Sequence, residues 1–362
     1  MSFFNDCDYN FDAFPFALAP KSIRLRRDLF IFEEPASGRL LGGLNQTVTH
    51  ASPHQLRRWL LLLFPEATEP AHYLVSIMVK RSTIFFYNRE RKGELLSWES
   101  RSPLLPGCYA LVVEDGVTPN LLAFRGDDPV DTYAERAEKV ETFPTRYPAD
   151  YVNKVMKYNR YKDEELNFLR LVPSRDGCRC LITNLPLADA DVGISWIIPP
   201  AFTDQEDYEP LFHCQPENSR IYANCITMHK LLVTPFLRNA FGVEVVDDYN
   251  IVVFEDLGEA ATELLNKANF KATKLKEAVN KGGPNSPSAD FLMGHFRHCL
   301  RSVFLGGEIT MEEDYSPSTC QYILRKANRV RKNPQDPFWK TLAGKEARAY
   351  MIGDGQRWGS EL

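Results

Sequence analysis

Cys178-Arg-Cys180-Leu-Ile-Thr183-Asn184, Ile194-Ser-Trp196-Ile-Ile-Pro199-Pro200, Asn224-Cys-Ile-Thr-Met-His229 and Phe241-Gly-Val-Glu-Val-Val-Asp247-Asp248-Tyr-Asn-Ile251-Val-Val-Phe254 succeed one another along the chain. Short β-branched and apolar runs, bounded by polar, Pro or Gly punctuation, predict strands. The order they give is strand, loop, strand, short helix and closing hairpin. A polar, acidic insertion, Asp204 to Asn218, separates the two halves.

At these residues the sequence resembles the HNH endonuclease family, in the form of the HNH domain found in many fungal proteins. That family's pattern is a Cys-x-x-Thr-Gly turn, Ala-His-Ile-Ile-Pro, an Asn, a Leu-His on a helix, Phe-Asp, and a Phe-Gly-Ile hairpin. Cys180, Thr183, Ile197-Ile198-Pro199, Asn224, Phe236 and Phe241-Gly242-Val243 fall on matching positions. Asp247-Asp248-Tyr249 with Ile251 to Phe254 matches the closing hairpin. The resemblance implies a ββα-metal fold for this region.

It also implies where the chemistry would sit. The general-base His of the family falls on Trp196, the metal-binding helix His on Val233, and the Asp after Phe on Leu237; only the central Asn, Asn224, is retained. Tryptophan has an N–H donor and no basic nitrogen. Phosphodiester hydrolysis by this mechanism needs metal and base together. The expectation is a degenerate HNH domain with no metal ligand set at its centre.

Two alternatives stay open. His229, four residues before Val233, would share its helix face one turn, about 5.4 Å, earlier. With His213 or a nearby Asp it is the candidate for a rearranged divalent-metal site, and a divalent metal is called for on this reading alone. Alternatively Trp196, Tyr208, His213, Asn224 and His229 line a former nuclease cleft retooled for a small molecule. Cys178-x-Cys180 is too tight for a zinc knuckle and has no second Cys-x-x-Cys.

Working outward, 362 residues suffice for two or three domains with real cores. The 44% hydrophobic and 25% charged content is that of a globular chain. A net charge of −5 argues against a whole surface built to hold nucleic acid, so any such contact must be local. The first residues lack a basic segment followed by an apolar core, and the longest apolar run, Trp59 to Phe64, is too short for a bilayer. Eight cysteines without a dense framework fit free thiols. The chain is therefore expected in the cytoplasm or nucleus, away from membranes.

The fold class expected is α+β, in three parts. Residues 1–145 form a β-rich N-terminal domain led by an aromatic arm; 150–255 are the HNH-like domain; 256–362 are a helical C-terminal region. Ser52 before Pro53 signals a helix start with Leu56, Trp59, Leu60 and Leu63 on its apolar face. Tyr73 to Met78, Thr83 to Tyr87 and Tyr109 to Val113 read as strands. Asp127 to Tyr151, punctuated by three prolines, reads as the connection. Leu257 to Lys281 is helix-like, and Ser288 or Asp290 caps a helix over Phe291 to Phe304, with His295 and His298 three apart. Arg325, Lys326, Arg329, Arg331 and Lys332 make a local basic patch of the kind phosphate binding requires, and equally a solvated helix face.

No phosphate-binding glycine loop, nucleophile elbow or zinc-protease motif is present. The sequence thus favours a binding or scaffold protein over a nuclease with a moved site or a retooled enzyme. A protein or a small molecule is the expected partner, and nucleic acid is less favoured.

Overall fold

The computed structural model describes residues 20–32, 40–63, 72–83, 86–113, 131–142, 152, 166–199, 222–283, 285–305, 317–340, 344, 347–348 and 351. The expected aromatic arm and the acidic insertion, with Tyr208 and His213, lie outside them. By contacts the chain divides into two units. The first is Met1–Asp127 together with Leu305–Leu362, and the second is Asp128–Phe304. The three-part reading put boundaries near 145 and 255. The helices between Phe254 and Leu305 group with the region before them, and the last of them, Ala289–Cys299, packs on the strand Phe241–Glu244.

The first unit opens with a short helix α1 (Pro20–Arg24), strands β1 (Leu29–Phe32) and β2 (Leu40–Leu44), and helices α2 (Gln46–Thr49) and α3 (Pro53–Leu63). Strands β3 (His72–Thr83), β4 (Phe86–Leu96) and β5 (Gly107–Val113) follow. The strands form one sheet in the order β2-β1-β5-β3-β4, with β1 and β5 parallel and the other pairs antiparallel. Its buried face carries Phe30, Phe32, Val75, Ile77 and Ala110. α3 starts where the sequence places it: the Gln55 N–H donates to Ser52 Oγ (3.3 Å) and the Ser52 N–H to Gln55 Oε1 (3.1 Å). This reciprocal pair satisfies two backbone donors that the first helical turn leaves open.

The second unit begins with α4 (Tyr133–Thr142), inside the stretch read from its prolines as a connection. The helix forms there because Thr132 and Glu135 make a capping box: the Glu135 N–H donates to Thr132 Oγ1 (3.1 Å) and the Thr132 N–H to Glu135 Oε2 (2.9 Å). Helix α5 (Leu166–Arg175), strands β6 (Val192–Trp196) and β7 (Cys225–His229), helix α6 (Lys230–Leu237), and strands β8 (Phe241–Glu244) and β9 (Asn250–Val253) come next. β6 and β7 pair antiparallel, as do β8 and β9. The helix-like run from Leu257 is two helices, α7 (Glu259–Lys267) and α8 (Thr273–Lys281). They are separated at Asn269 and Phe270, whose φ values of 50° and 52° end the first of them.

Helix α9 (Ala289–Cys299) closes the unit, capped by Ser288, whose hydroxyl accepts from the Asp290 N–H. It docks on β8, and Gly242 permits the approach: a Cβ there would lie 2.9 Å from the Phe296 ring and 3.2 Å from Cys299 Sγ. The chain then rejoins the first unit, where Leu305 bridges Gly42 of β2 and α10 (Pro317–Val330) follows. Both units mix helices with small sheets, which makes the class α+β. Among the described residues no helix is long and apolar enough to cross a membrane.

Candidate functional site

The antiparallel register pairs Trp196 with Cys225, Ile194 with Thr227, and Val192 with His229. Alternation along a strand sends neighbours to opposite faces. One face of the hairpin holds Gly193, Ser195, Ile226 and Met228, and α6 covers it through Leu232, Val233 and Phe236. The other face holds Ile194, Trp196 and Cys225, which pack with Val172 of α5 and with Tyr222. The hairpin is a two-stranded ribbon between two helices.

This arrangement places Trp196 and Val233 on opposite faces. Trp196 is 8% exposed in its apolar cluster. Val233 lies over Gly193, where a Cβ would come within 2.6 Å of Val233 Cγ2 and 2.9 Å of the Lys230 Cα. The space between strand and helix is filled by direct contact. Leu237, one turn further on, is half-buried.

Asn224 has a different task. It is fully buried; its Nδ2 donates to the Ile198 carbonyl (2.7 Å) and its Oδ1 accepts from the Ile198 N–H (2.9 Å). Its own carbonyl accepts from the Ile197 N–H (2.8 Å). One side chain thus satisfies both polar groups of a buried backbone segment that has left the β ladder, which an apolar residue could not do. The neighbouring Cys180–Thr183 turn is fixed to the same strand, since the Leu181 N–H donates to the Thr227 carbonyl (2.9 Å). Cys180 is buried and its sulfur accepts from the Thr183 N–H. The structure therefore holds Ile197, Ile198 and Asn224 together at one end of the hairpin and ties the Cys180–Thr183 turn to the middle of β7.

His229 stands at the other end, four residues along β7 from Cys225 and so about 13 Å away at ~3.3 Å per residue. It lies before α6 rather than on it. It is the N-cap, extended, with Nδ1 accepting from the Leu231 N–H (3.2 Å). Its Nε2 points to Asp191 at 3.9 Å, and Lys230 reaches the same carboxylate at 3.1 Å. The expected sharing of a helix face with Val233 gives way to a cap because β7 runs through His229 itself. Of the proposed pocket residues that are described, Trp196 and Asn224 are separated from His229 by the length of the hairpin.

Two polar constellations lie outside these positions; the first was missed in the sequence, and the second includes the His295 and His298 pair read there. Arg175 and Asp176, at the end of α5, form a half-buried clamp. Arg175 donates to both carboxylate oxygens (2.6 and 2.8 Å) and to the carbonyls of Tyr222, Cys225 and Asn285, while Asp176 accepts from the Thr227 N–H. They floor a cavity of about 120 Å³ edged by Lys274, Glu277, Lys281 and Ser286. Adjacent unlike charges at a helix end were the available sequence signal. The second constellation is buried under α9. His295 stacks on Phe236 at 3.8 Å with Nε2 bonded to its carbonyl, and Nδ1 meets Cys299 Sγ at 3.5 Å. His298 stacks on Tyr133 at 4.2 Å. Burial pushes the His295 imidazolium down to about 4, holds His298 lower than usual, and raises the Cys299 thiol. These rings are neutral packing elements of the core.

Among the described residues no three His, Cys, Asp or Glu side chains converge as a metal ligand set. Arg325, Lys326, Arg329, Arg331 and Lys332 are all exposed, the first three on α10. Compared with protein-family models, curated proteins and solved structures, the chain matches none.

Proposed function

We propose that the second unit is an HNH-like ββα module that has lost metal-dependent hydrolysis, and that the protein acts by binding or scaffolding. The supporting observation is the fate of the two positions that the chemistry needs. An imidazole base and a metal-binding imidazole must reach one phosphate, within a few ångströms of one another. Trp196 and Val233 lie on opposite faces of the β6–β7 ribbon, each packed into apolar neighbours. The order β6, β7, α6 and the retained Asn224 support the family reading. Here Asn224 works on the backbone at Ile198 rather than on a ligand.

The test is calorimetric titration with Mg²⁺, Mn²⁺, Ni²⁺ and Zn²⁺ beside a plasmid-nicking assay, on the full chain and on His229→Ala. We expect neither micromolar binding nor nicking. Nicking that disappears in His229→Ala would overturn the reading and place a working metal at the His229–Asp191 end of the hairpin.

A further inference from the structure

The C-terminal helix of the first unit presents two faces of opposite character. Ile323 and Ala327, with Val330, pack against Phe338, Trp339 and Ala347. At about 3.6 residues per turn, Tyr322, Arg325, Lys326 and Arg329 stand at i, i+3, i+4 and i+7, with Lys326 at the edge nearest that core. All four are exposed, Tyr322 at 62%. Arg331, Lys332 and Lys340 extend the exposed charge beyond the helix end.

From Tyr322 to Lys340 six cations stand against one carboxylate, Asp336, in a chain whose net charge is −5. Asp336 Oδ1 already accepts from the Phe338 N–H (2.9 Å). Lys326 sits 5.3 Å from the centre of the Phe338 ring, at the border between the apolar and basic faces. The platform beneath is fixed, with Trp339 Nε1 donating to the Asn333 carbonyl (3.0 Å). The face thus sets three cations beside one exposed aromatic ring.

We propose that the Tyr322, Arg325, Lys326 and Arg329 face binds single-stranded nucleic acid, its phosphates on the cations and a base stacked on Tyr322. Successive helical turns repeat the charge about every 5.4 Å, so one strand can run along the helix. A duplex hides its base faces and an acidic peptide offers none, so neither would use the ring. Single-strand sites combine cations with stacking aromatics in this way. The inference stands on the first unit alone and does not depend on the reading of the hairpin.

The experiment is fluorescence anisotropy of the full chain with a labelled thymidine oligonucleotide of about twenty bases. The matching duplex, poly-glutamate and phosphatidylserine vesicles are the competitors. With three or four phosphates engaged, the log–log salt slope is about −2 to −3, a loss of roughly 20- to 50-fold between ~50 and ~200 mM salt. Arg325→Gln with Arg329→Gln makes that slope shallower by about 1.4. Tyr322→Ala weakens binding roughly 5- to 100-fold while Tyr322→Phe does not. The proposal is overturned by no binding at low salt, by equal affinity in Tyr322→Ala, or by tighter binding of duplex, poly-glutamate or vesicles.

Discussion

Asn224 serves the backbone of Ile198 as a neighbouring strand would, offering one donor and one acceptor at 2.7 and 2.9 Å. Asn224→Ala leaves both groups of Ile198 buried and unpaired, and each costs about 1–3 kcal/mol. The expected loss is about 2–6 kcal/mol in urea unfolding. At Gly193, alanine drives a methyl into Val233 and toward the Lys230 Cα. Such overpacking costs about 1–3 kcal/mol. Adding Val233→Ala should recover part of it, since the clash with the Lys230 backbone remains. A double-mutant cycle on unfolding energies measures that coupling. Additive costs would mean that the two residues do not touch. Sequence reasoning located Asn224 and Val233 but could not say what they touch. That depends on the register of β6 on β7 and on which face α6 covers.

At the scale of elements, helix starts were legible where their chemistry is local. Ser52-Pro53 announces α3, and Ser288 announces α9. Thr132-x-x-Glu135 carries the same information, yet the prolines around it weighed toward a connection, and α4 went unread. Thr132→Ala should cost about 0.5–2 kcal/mol, the usual loss for an N-cap. It should also raise hydrogen exchange in the first turn of α4 more than elsewhere in the unit. The break between α7 and α8 was not legible, because Asn269 and Phe270 adopt left-handed backbone without glycine. Only the docking of each helix on the core selects that conformation. The position of His229 was misjudged for a related reason: a ladder partner, Val192, holds it in the strand one residue before the helix.

At the scale of the whole molecule, the buried imidazoles of α9 make the second unit sensitive to acid. His295 titrates near 4 when folded and near 6.5 in an unfolded chain, so it binds its proton more weakly in the native state. Stability is then fully present above about pH 6.5 and declines as the pH falls from there toward 4. His298 shifts in the same direction, with burial the first cause and the neighbouring cations Arg301 and Arg136 adding to it. The loss from His295 alone is about 3 kcal/mol over that window. Hydrogen exchange along α9, followed from pH 7 to 4, should accelerate through it, and His295→Gln should flatten the dependence. An exchange profile independent of pH in the wild type would contradict the neutral, buried assignment.

The first unit is written in two instalments, with Leu305 bridging Gly42 and its carbonyl accepting from the buried Arg27 guanidinium (3.3 Å). During synthesis at ~5–20 residues per second, Leu305 emerges on the order of ten to forty seconds after Asp127. The intervening unit is continuous in sequence and can fold in that interval, while β2 waits with its outer edge unpaired. A nascent chain of this protein therefore spends that interval with an open apolar strand edge, the state in which a chaperone would be most useful to it.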